Sequence, residues 1–156
     1  MNSVFYYDSI LGKLRIADNG KAVTQIVLDS LNYPIAKDCI EQESPLIKTA
    51  MQELNEYFDG KRKDFDFPID PQGTEFQKRD WAELRKIPYG ETRTYKQIAE
   101  AIGCPKGFRA VGLANHKNPI IIVIPCHRVI GANGALVGYA GGLHLKERLL
   151  AIEGIL

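Results

Sequence analysis

TYKQIAEAIGCPKGFRAVGLANH, residues 94–116, predicts two helices separated by a tight turn. Thr94 followed by Gln97 is a capping box, which predicts a helix over residues 95–102. A turn containing glycine and proline separates it from a second helix over residues 108–116. Helix, short turn and helix is the helix-turn-helix pattern, whose second helix commonly lies against DNA. Spacing alone leaves an ordinary helical hairpin as an alternative.

One more helix is expected just before this pair. Thr74 and Gln77 form another capping box, at the start of a helix that contains Trp81 and Leu84. The proline in Ile87-Pro88 ends the helix. The second half of the chain is therefore predicted to be mostly α-helical, with a helix-turn-helix.

The first half of the chain has a different pattern. Short runs rich in β-branched and aromatic residues alternate with turn residues, which predicts an antiparallel sheet. These runs cover residues 4–7, 14–16 and 23–28. Ser44-Pro45 starts an amphipathic helix that ends at Gly60, and alternating Phe and Asp over residues 64–67 predict one more strand. An α/β domain of one sheet and one helix is expected here.

Charge divides the chain at the same place. Residues 1–71 hold 8 Lys and Arg against 12 Asp and Glu, a net charge of −4, whereas residues 72–156 hold 12 against 7, a net charge of +5. We therefore predict two domains, 1–71 and 72–156. The asymmetry is typical of a polyanion-binding module beside an acidic scaffold, although a solvated surface would give the same count.

IIIVIPCHRV, residues 120–129, is an apolar run that ends at a cysteine. The β-branched residues 120–124 predict a buried strand that places Cys126 at its end. His127 and Arg128 are cationic neighbours that favour the thiolate, the reactive form of cysteine. Cys126 is therefore a candidate nucleophile, but a free cysteine is also often an inert buried residue.

The composition is that of a soluble globular protein in a reducing compartment. Of 156 residues, 45% are hydrophobic and 25% charged, and no stretch reads as a membrane span or a signal peptide. Three cysteines without a Cys-x-x-Cys pair argue against a disulfide framework and against a zinc site. We expect a cytoplasmic protein without a bound metal.

Several segments of the second half together resemble the signature of the O6-alkylguanine-DNA alkyltransferases. They are TYKQIA (94–99), FRAVG (108–112), NP (118–119), PCHRV (125–129), GYAGG (138–142), KERLL (146–150) and EG (153–154). Their order and spacing fit that family over residues 74–154, while the first half matches only in size and coarse pattern. The resemblance implies a ribonuclease H-like N-terminal domain and a winged-helix-like C-terminal domain.

The resemblance also implies a chemistry. In that family a cysteine attacks the alkyl carbon of O6-alkylguanine and keeps the alkyl group as a thioether, so each molecule reacts once and needs no cofactor. Cys126 matches this cysteine. By the same resemblance, His127 is a base that acts through an ordered water, Glu153 orients the imidazole, and Tyr95 donates a proton to the departing base.

The implied partner is double-stranded DNA that contains O6-alkylguanine, with O4-alkylthymine as a further candidate lesion, bound by a monomer. Arg109 matches the arginine that enters the duplex and replaces the extruded nucleotide. Ala110 and Gly112 are the small residues that let this helix approach the DNA closely.

Further residues match the substrate pocket and its support. Asn118 matches a residue that ties the recognition helix to the active-site segment, and Arg128 matches an arginine engaged in structural hydrogen bonds. Val129, Tyr139 and Ala140 match pocket positions. Ala140 stands where many family members have serine, so any hydroxyl contribution is absent and contact through the backbone amide is expected.

Two other functions are compatible with parts of this pattern. A cysteine hydrolase would also use cysteine and histidine, but it needs an acyl substrate site and repeated turnover. Alkyltransferase-like proteins keep the helix-turn-helix and the arginine and bind lesions without transfer, but their cysteine is replaced. The presence of Cys126 with His127, Tyr95 and Glu153 favours transfer.

Overall fold

The structure is a computed structural model that describes residues 1–139 and 141–156. The chain forms two compact units, Met1–Gln72 and Gly73–Leu156. Within the two described ranges, no helix combines the length and the apolar character needed to cross a bilayer.

The first unit is a four-stranded sheet with one helix. Its strands are β1 (Asn2–Ser9), β2 (Gly12–Asp18), β3 (Val23–Leu28) and β4 (Cys39–Glu41), and its helix is α1 (Pro45–Phe58). The strand order is β3-β2-β1-β4, with β1, β2 and β3 antiparallel as predicted. β4 pairs with β1 in parallel, so the sheet is mixed and the prediction of a purely antiparallel sheet was incomplete. β4 has only three residues, too few for a pattern in the sequence.

Helix α1 starts where its sequence predicts. The Ser44 hydroxyl accepts a hydrogen bond from the backbone amide of Ile47, and Pro45 occupies the first turn. Ile47, Leu54 and Tyr57 are fully buried, so the apolar stripe of the helix covers the core of this unit. The sheet-plus-helix class of this half is thereby confirmed.

The strand predicted at residues 64–67 is wrong. The Asp66 backbone amide donates to the Glu53 carboxylate at 2.9 Å, so a side chain takes the place of a neighbouring strand. Phe65 packs against Tyr57 with ring centroids 5.7 Å apart. The alternation of Phe and Asp reflects a loop with one buried side rather than a strand.

The second unit is mostly helical. Its elements are α2 (Glu75–Leu84), β5 (Arg93–Thr94), α3 (Tyr95–Ala101), α4 (Phe108–His116), β6 (Val129–Ile130) and α5 (Leu143–Ile152). Both predicted capping boxes, Thr74 with Gln77 and Thr94 with Gln97, are formed, and α3 and α4 are the two helices of the helix-turn-helix. The Trp81 indole donates to the Ala114 carbonyl at 2.9 Å, which fixes α2 against α4.

The predicted buried strand at residues 120–124 is wrong, although these residues are buried. The segment is a tight loop in which the Ile124 amide donates to the Ile120 carbonyl at 3.0 Å and Ile122 has a φ of 76°. The Asn118 side chain closes the loop, because it accepts from the Ile120 amide and donates to the Ile124 carbonyl. Burial of five β-branched residues satisfies their apolar side chains equally well in either conformation.

The N-terminal cap of α2 allows a test of whether the capping box in the sequence stabilises the helix. We expect Thr74→Ala to lower the free energy of unfolding of the second unit by about 1 kcal/mol, because the amide of Gln77 loses its acceptor. Thr74→Ser retains the hydroxyl and is the matched control, with stability near that of the wild type. Urea denaturation of both variants measures the difference. Equal losses for the two variants would contradict the capping role.

Candidate active site

Cys126 lies in a single 3-10 turn, Cys126–Arg128, directly after the loop closed by Asn118. Its side chain is buried, and the Asn118 amide donates to its sulfur at 3.2 Å. Burial raises the pKa of the Cys126 thiol to about 11, against the opposing effects of the Asn118 hydrogen bond and the positive charge of Lys146. The expectation that adjacent His127 and Arg128 favour the thiolate is therefore wrong, because burial dominates and the favourable charge comes from Lys146.

The carboxylate of Glu153 connects His127 and Arg128 in the interior of the second unit. Glu153 Oε2 lies 2.6 Å from His127 Nε2. Arg128 donates to both carboxylate oxygens, from Nε at 2.8 Å and from Nη2 at 3.1 Å, and its Nη1 donates to the Ile87 carbonyl. The Gly90 amide also donates to Glu153. Glu153, at the C-terminal cap of α5, is thus held by at least three donors and its carboxylate faces the imidazole.

His127 has the protonation state of a base. Burial lowers its pKa, while the hydrogen bond to Glu153 and the charge of Glu153 oppose the shift. The imidazole is therefore neutral near pH 7 and able to accept a proton. Sequence analysis predicted the pair of His127 and Glu153, and the structure brings them into contact.

Tyr95 is the first residue of α3 and reaches the loop that precedes α5. Its hydroxyl donates to the Val137 carbonyl at 2.8 Å and lies 3.4 Å from the Gly138 carbonyl. Burial, followed by the charges of Cys126 and Asp80, raises its pKa to about 12, so the phenol keeps its proton. The Tyr95 hydroxyl therefore acts as a hydrogen-bond donor in this structure.

An open cavity of about 890 Å³ lies beside Tyr95 in the second unit. Its walls are mainly apolar, and Phe108, Leu113 and Val137 contribute exposed apolar surface to it. The other lining residues are Tyr95, Lys96, Pro105, Lys106, Arg109, Gly112, His116, Gly131, Ala132 and Gly138. We call it the α4 groove. Cys126 is not among the residues that line it.

The α4 groove contains most of the predicted DNA-binding residues. Arg109 is exposed on α4, as is its neighbour Ala110. A Cβ on Gly112 would lie 3.9 Å from the Tyr95 ring, so α4 and α3 are in close contact at this glycine. Lys96 and Lys106 add two cations to the groove. Positive charge along an apolar groove is a common arrangement for nucleic-acid binding.

The other predicted pocket residues are more scattered. Val129 is buried, and its carbonyl points to the ammonium group of Lys146 at 2.5 Å. Tyr139 is half-buried. Ala140 lies outside the described residues. Asn118 is fully buried and contacts Cys126, as described above.

Sequence analysis missed two buried charged residues, Lys146 and Asp80. Neither side chain has exposed surface. With the Asn115 amide oriented to match its neighbours, its nitrogen donates to Asp80 at 2.5 Å and to the Val111 carbonyl at 3.1 Å. Lys146 stands three and four residues before Leu149 and Leu150, and Asp80 stands four residues before Leu84, so helical spacing places both charges on buried faces and could have identified them.

In the part of the chain that the structure describes, no group of three or more His, Cys, Asp or Glu side chains is arranged to hold a metal ion.

The buried Asp80 predicts an unusual dependence of stability on pH. Burial raises its pKa from 3.8 to about 7, and the Asn115 amide that donates to the carboxylate opposes this shift. Between the ordinary and the raised pKa the folded protein binds more protons than the unfolded chain. Stability therefore falls as pH rises from about 4 to 7, by up to about 1.4 kcal/mol per pH unit. Urea denaturation across this interval should show that Asp80→Asn removes this contribution. Parallel curves for the variant and the wild type would contradict the assignment.

Comparison with known proteins identifies the family. The sequence profile of the 6-O-methylguanine DNA methyltransferase DNA-binding domain matches residues 75–155, and that of the ribonuclease-like domain matches residues 4–71. The chain is 48% identical to the methylated-DNA--protein-cysteine methyltransferase of Methanosarcina barkeri, over 95% of this chain and 96% of that protein. It is 47% identical to the protein of the same name from Mycolicibacterium paratuberculosis, over 94% of this chain and 88% of that protein.

A crystal structure of Mycobacterium tuberculosis OGT in complex with DNA is 44% identical in sequence and has a TM-score of 0.88. The match covers 97% of this chain and 92% of that chain. These matches extend over both units, including the first half, where the sequence alone showed little resemblance. The chain belongs to the 6-O-methylguanine DNA methyltransferase family.

Proposed function

We propose that this protein repairs DNA by moving the alkyl group of O6-alkylguanine to Cys126 in a single turnover. The observation that carries the proposal is the position of Tyr95, which lines the α4 groove with Arg109 and whose hydroxyl binds the Val137 carbonyl; the charge of Cys126 contributes to its raised pKa. A guanine that enters from the groove would therefore meet the proton donor and the nucleophile together. Relatives named methylated-DNA--protein-cysteine methyltransferase support the same reaction.

The bonds and protons of the proposed transfer balance without a cofactor. His127, oriented by Glu153, takes the thiol proton of Cys126 through a water molecule. The sulfur then forms a bond to the alkyl carbon, and the bond between that carbon and guanine O6 breaks with its electron pair on the guanine. Tyr95 gives a proton to the base and recovers one from the imidazolium through solvent. The products are a thioether and unmodified guanine.

Base extrusion is required because Cys126 is buried. A stacked base in a duplex cannot reach a side chain that is 5% exposed, so the nucleotide has to rotate into the protein. We propose that Arg109, exposed on α4, fills the position that the base leaves. Ala110 beside it is small, and the helix can therefore approach the duplex closely.

The two units are proposed to have different roles. The second unit, Gly73–Leu156, binds DNA and carries the transfer site, consistent with its net charge of +5. The first unit, Met1–Gln72, is an acidic scaffold with a net charge of −4. We place the protein in a reducing compartment, the cytoplasm, because oxidation of the Cys126 sulfur would remove the nucleophile.

A lesion-binding protein without transfer is the second candidate. One observation favours it: burial raises the pKa of the Cys126 thiol to about 11, which disfavours the reactive form. The contacts of Cys126 with Asn118 and of His127 with Glu153 favour transfer, because pure binding requires neither.

Intact-protein mass spectrometry distinguishes these functions. After incubation with excess duplex that contains one O6-methylguanine, we expect one added methyl group per chain, located on Cys126 by peptide mapping. Unmodified duplex is the control. Cys126→Ala should bind the lesion DNA with about wild-type affinity and gain no methyl group. Unchanged mass of the wild type together with lesion-selective binding would establish the second candidate instead.

The role of Arg109 can be separated from general charge effects. Arg109→Ala should slow methyl transfer by about tenfold or more, since stacking and groove contacts of this kind are worth about 1–3 kcal/mol. Arg85→Ala is the matched control, because Arg85 is an exposed arginine of the same unit outside the α4 groove. Single-turnover rates on the same duplex measure both. Equal effects of the two substitutions would mean that Arg109 supplies only charge.

A further inference from the structure

Helix α4 carries a large apolar side chain on its outer surface, to which the proposed function assigns no task. Leu113 is 69% exposed, against 50% for Phe108 and 45% for Val137, the other exposed apolar residues of the α4 groove. A single exposed leucine is ordinary, but exposed apolar residues grouped in a groove are typical of a binding surface. Leu113 is therefore placed to contact whatever occupies the α4 groove.

Leu113 and Arg109 belong to the same face of α4. They are four residues apart in the helix, Phe108–His116, which places them one turn apart on one side, and both line the groove. A partner that meets the exposed guanidinium of Arg109 therefore also meets the side chain of Leu113.

The charge of the α4 groove favours an anionic partner. Its described lining residues include three cations, Lys96, Lys106 and Arg109, and no carboxylate. DNA fits such a surface, because its phosphates are negative while its bases and sugars offer apolar contact. A second copy of the chain docked through the same groove would instead bring like charges together. The groove is thus better suited to DNA than to a second copy.

Helical geometry determines how far apart the two contacts lie on DNA. Four residues advance an α-helix by about 6 Å, whereas successive base pairs are about 3.4 Å apart. With α4 lying along a groove of the duplex, Leu113 meets the DNA about two base pairs from the position that Arg109 fills. Leucine is one of the apolar side chains that proteins insert between base pairs to unstack and kink a duplex.

We propose that Leu113 is an apolar wedge that enters the duplex about two base pairs from Arg109 and stabilises the distorted DNA from which the nucleotide is extruded. The inference rests on the proposed function, since that function assigns DNA to the α4 groove. It adds a second point of insertion, which acts through apolar contact rather than through charge.

The exposure of Leu113 makes it suitable for substitution. Truncation of an exposed side chain leaves no cavity in the core, and alanine has the highest helix propensity. Leu113→Ala should therefore unfold at the same urea concentration as the wild type. Any effect of the substitution on DNA binding then reflects the lost contact rather than a loss of folded protein.

The first test measures affinity for a duplex with one O6-methylguanine by fluorescence anisotropy. Every protein carries Cys126→Ala, so that no methyl group is transferred during the measurement. Leu113→Ala should bind about tenfold more weakly than the parent, the effect of removing about two methylene groups from an apolar contact. Leu113→Met keeps the apolar volume and should bind within about twofold of the parent. Leu113→Gln has a similar length but is polar, and should resemble the alanine variant.

Two further comparisons separate apolar contact from general effects. Leu31→Ala changes an exposed leucine of the first unit, outside the α4 groove, and should bind like the parent. The slope of log affinity against log salt concentration should be the same for Leu113→Ala and the parent, because leucine neutralises no phosphate. A smaller slope for Leu113→Ala would mean that the cations of α4 had been displaced, and would overturn the proposal.

The second test locates the wedge on the DNA. 2-Aminopurine fluoresces more strongly when it is unstacked, and it is placed at successive positions on both sides of the lesion. The parent should raise the fluorescence about two base pairs from the lesion on one side. Leu113→Ala should lose this rise and Leu113→Met should keep it.

Two results would refute the wedge. Equal affinities of Leu113→Ala and the parent would remove Leu113 from the DNA interface, and weaker binding with unchanged fluorescence would make it a surface contact only. Either result, together with normal methyl transfer by the wild type, would leave the proposed function intact. A wild type that binds DNA but gains no methyl group would refute the proposed function without affecting the comparison at Leu113, and a protein that binds no DNA would refute both.

Discussion

The buried negative charge of Glu153 is the constraint on which the second unit depends. An unpaired carboxylate in the interior is very unfavourable, and here Arg128, His127 and the Gly90 amide surround it. These donors come from the turn that contains Cys126 and from the segment that follows α2. Compensation of one charge therefore fixes the end of α5 against both segments, and the orientation of the imidazole is a result of the same contacts.

The site combines a buried, hydrogen-bonded interior with an exposed rim. Asn118, Cys126 and His127 are buried and hydrogen-bonded, whereas Arg109 and its neighbours on α4 are exposed. The proposed reaction uses both properties, since the proposed nucleophile has to be held in place and DNA has to reach the site. Tyr95 belongs to both regions: its ring lines the α4 groove and its hydroxyl binds the loop beside Lys146.

Local signals were predictable from the sequence, and contacts between distant segments were not. Both capping boxes depend on residues three positions apart, and the structure contains them as predicted. The strand expected at residues 120–124 was wrong because the Asn118 side chain replaces a neighbouring strand. The match of His127 with Glu153 came from the resemblance to a family, since 25 residues separate them in the chain. Lys146 was missed because a lysine on a helix normally lies on the surface.

The pairing of Asn118 with Pro119 has a consequence for chemical ageing. Asparagine slowly converts to aspartate when the backbone nitrogen of the next residue attacks the side-chain amide. Proline has no backbone N–H, and this route is closed for Asn118. Conversion would place a carboxylate next to the Cys126 sulfur, where the structure now has an N–H donor at 3.2 Å. The Asn118-Pro119 sequence thereby preserves the N–H donor beside the Cys126 sulfur.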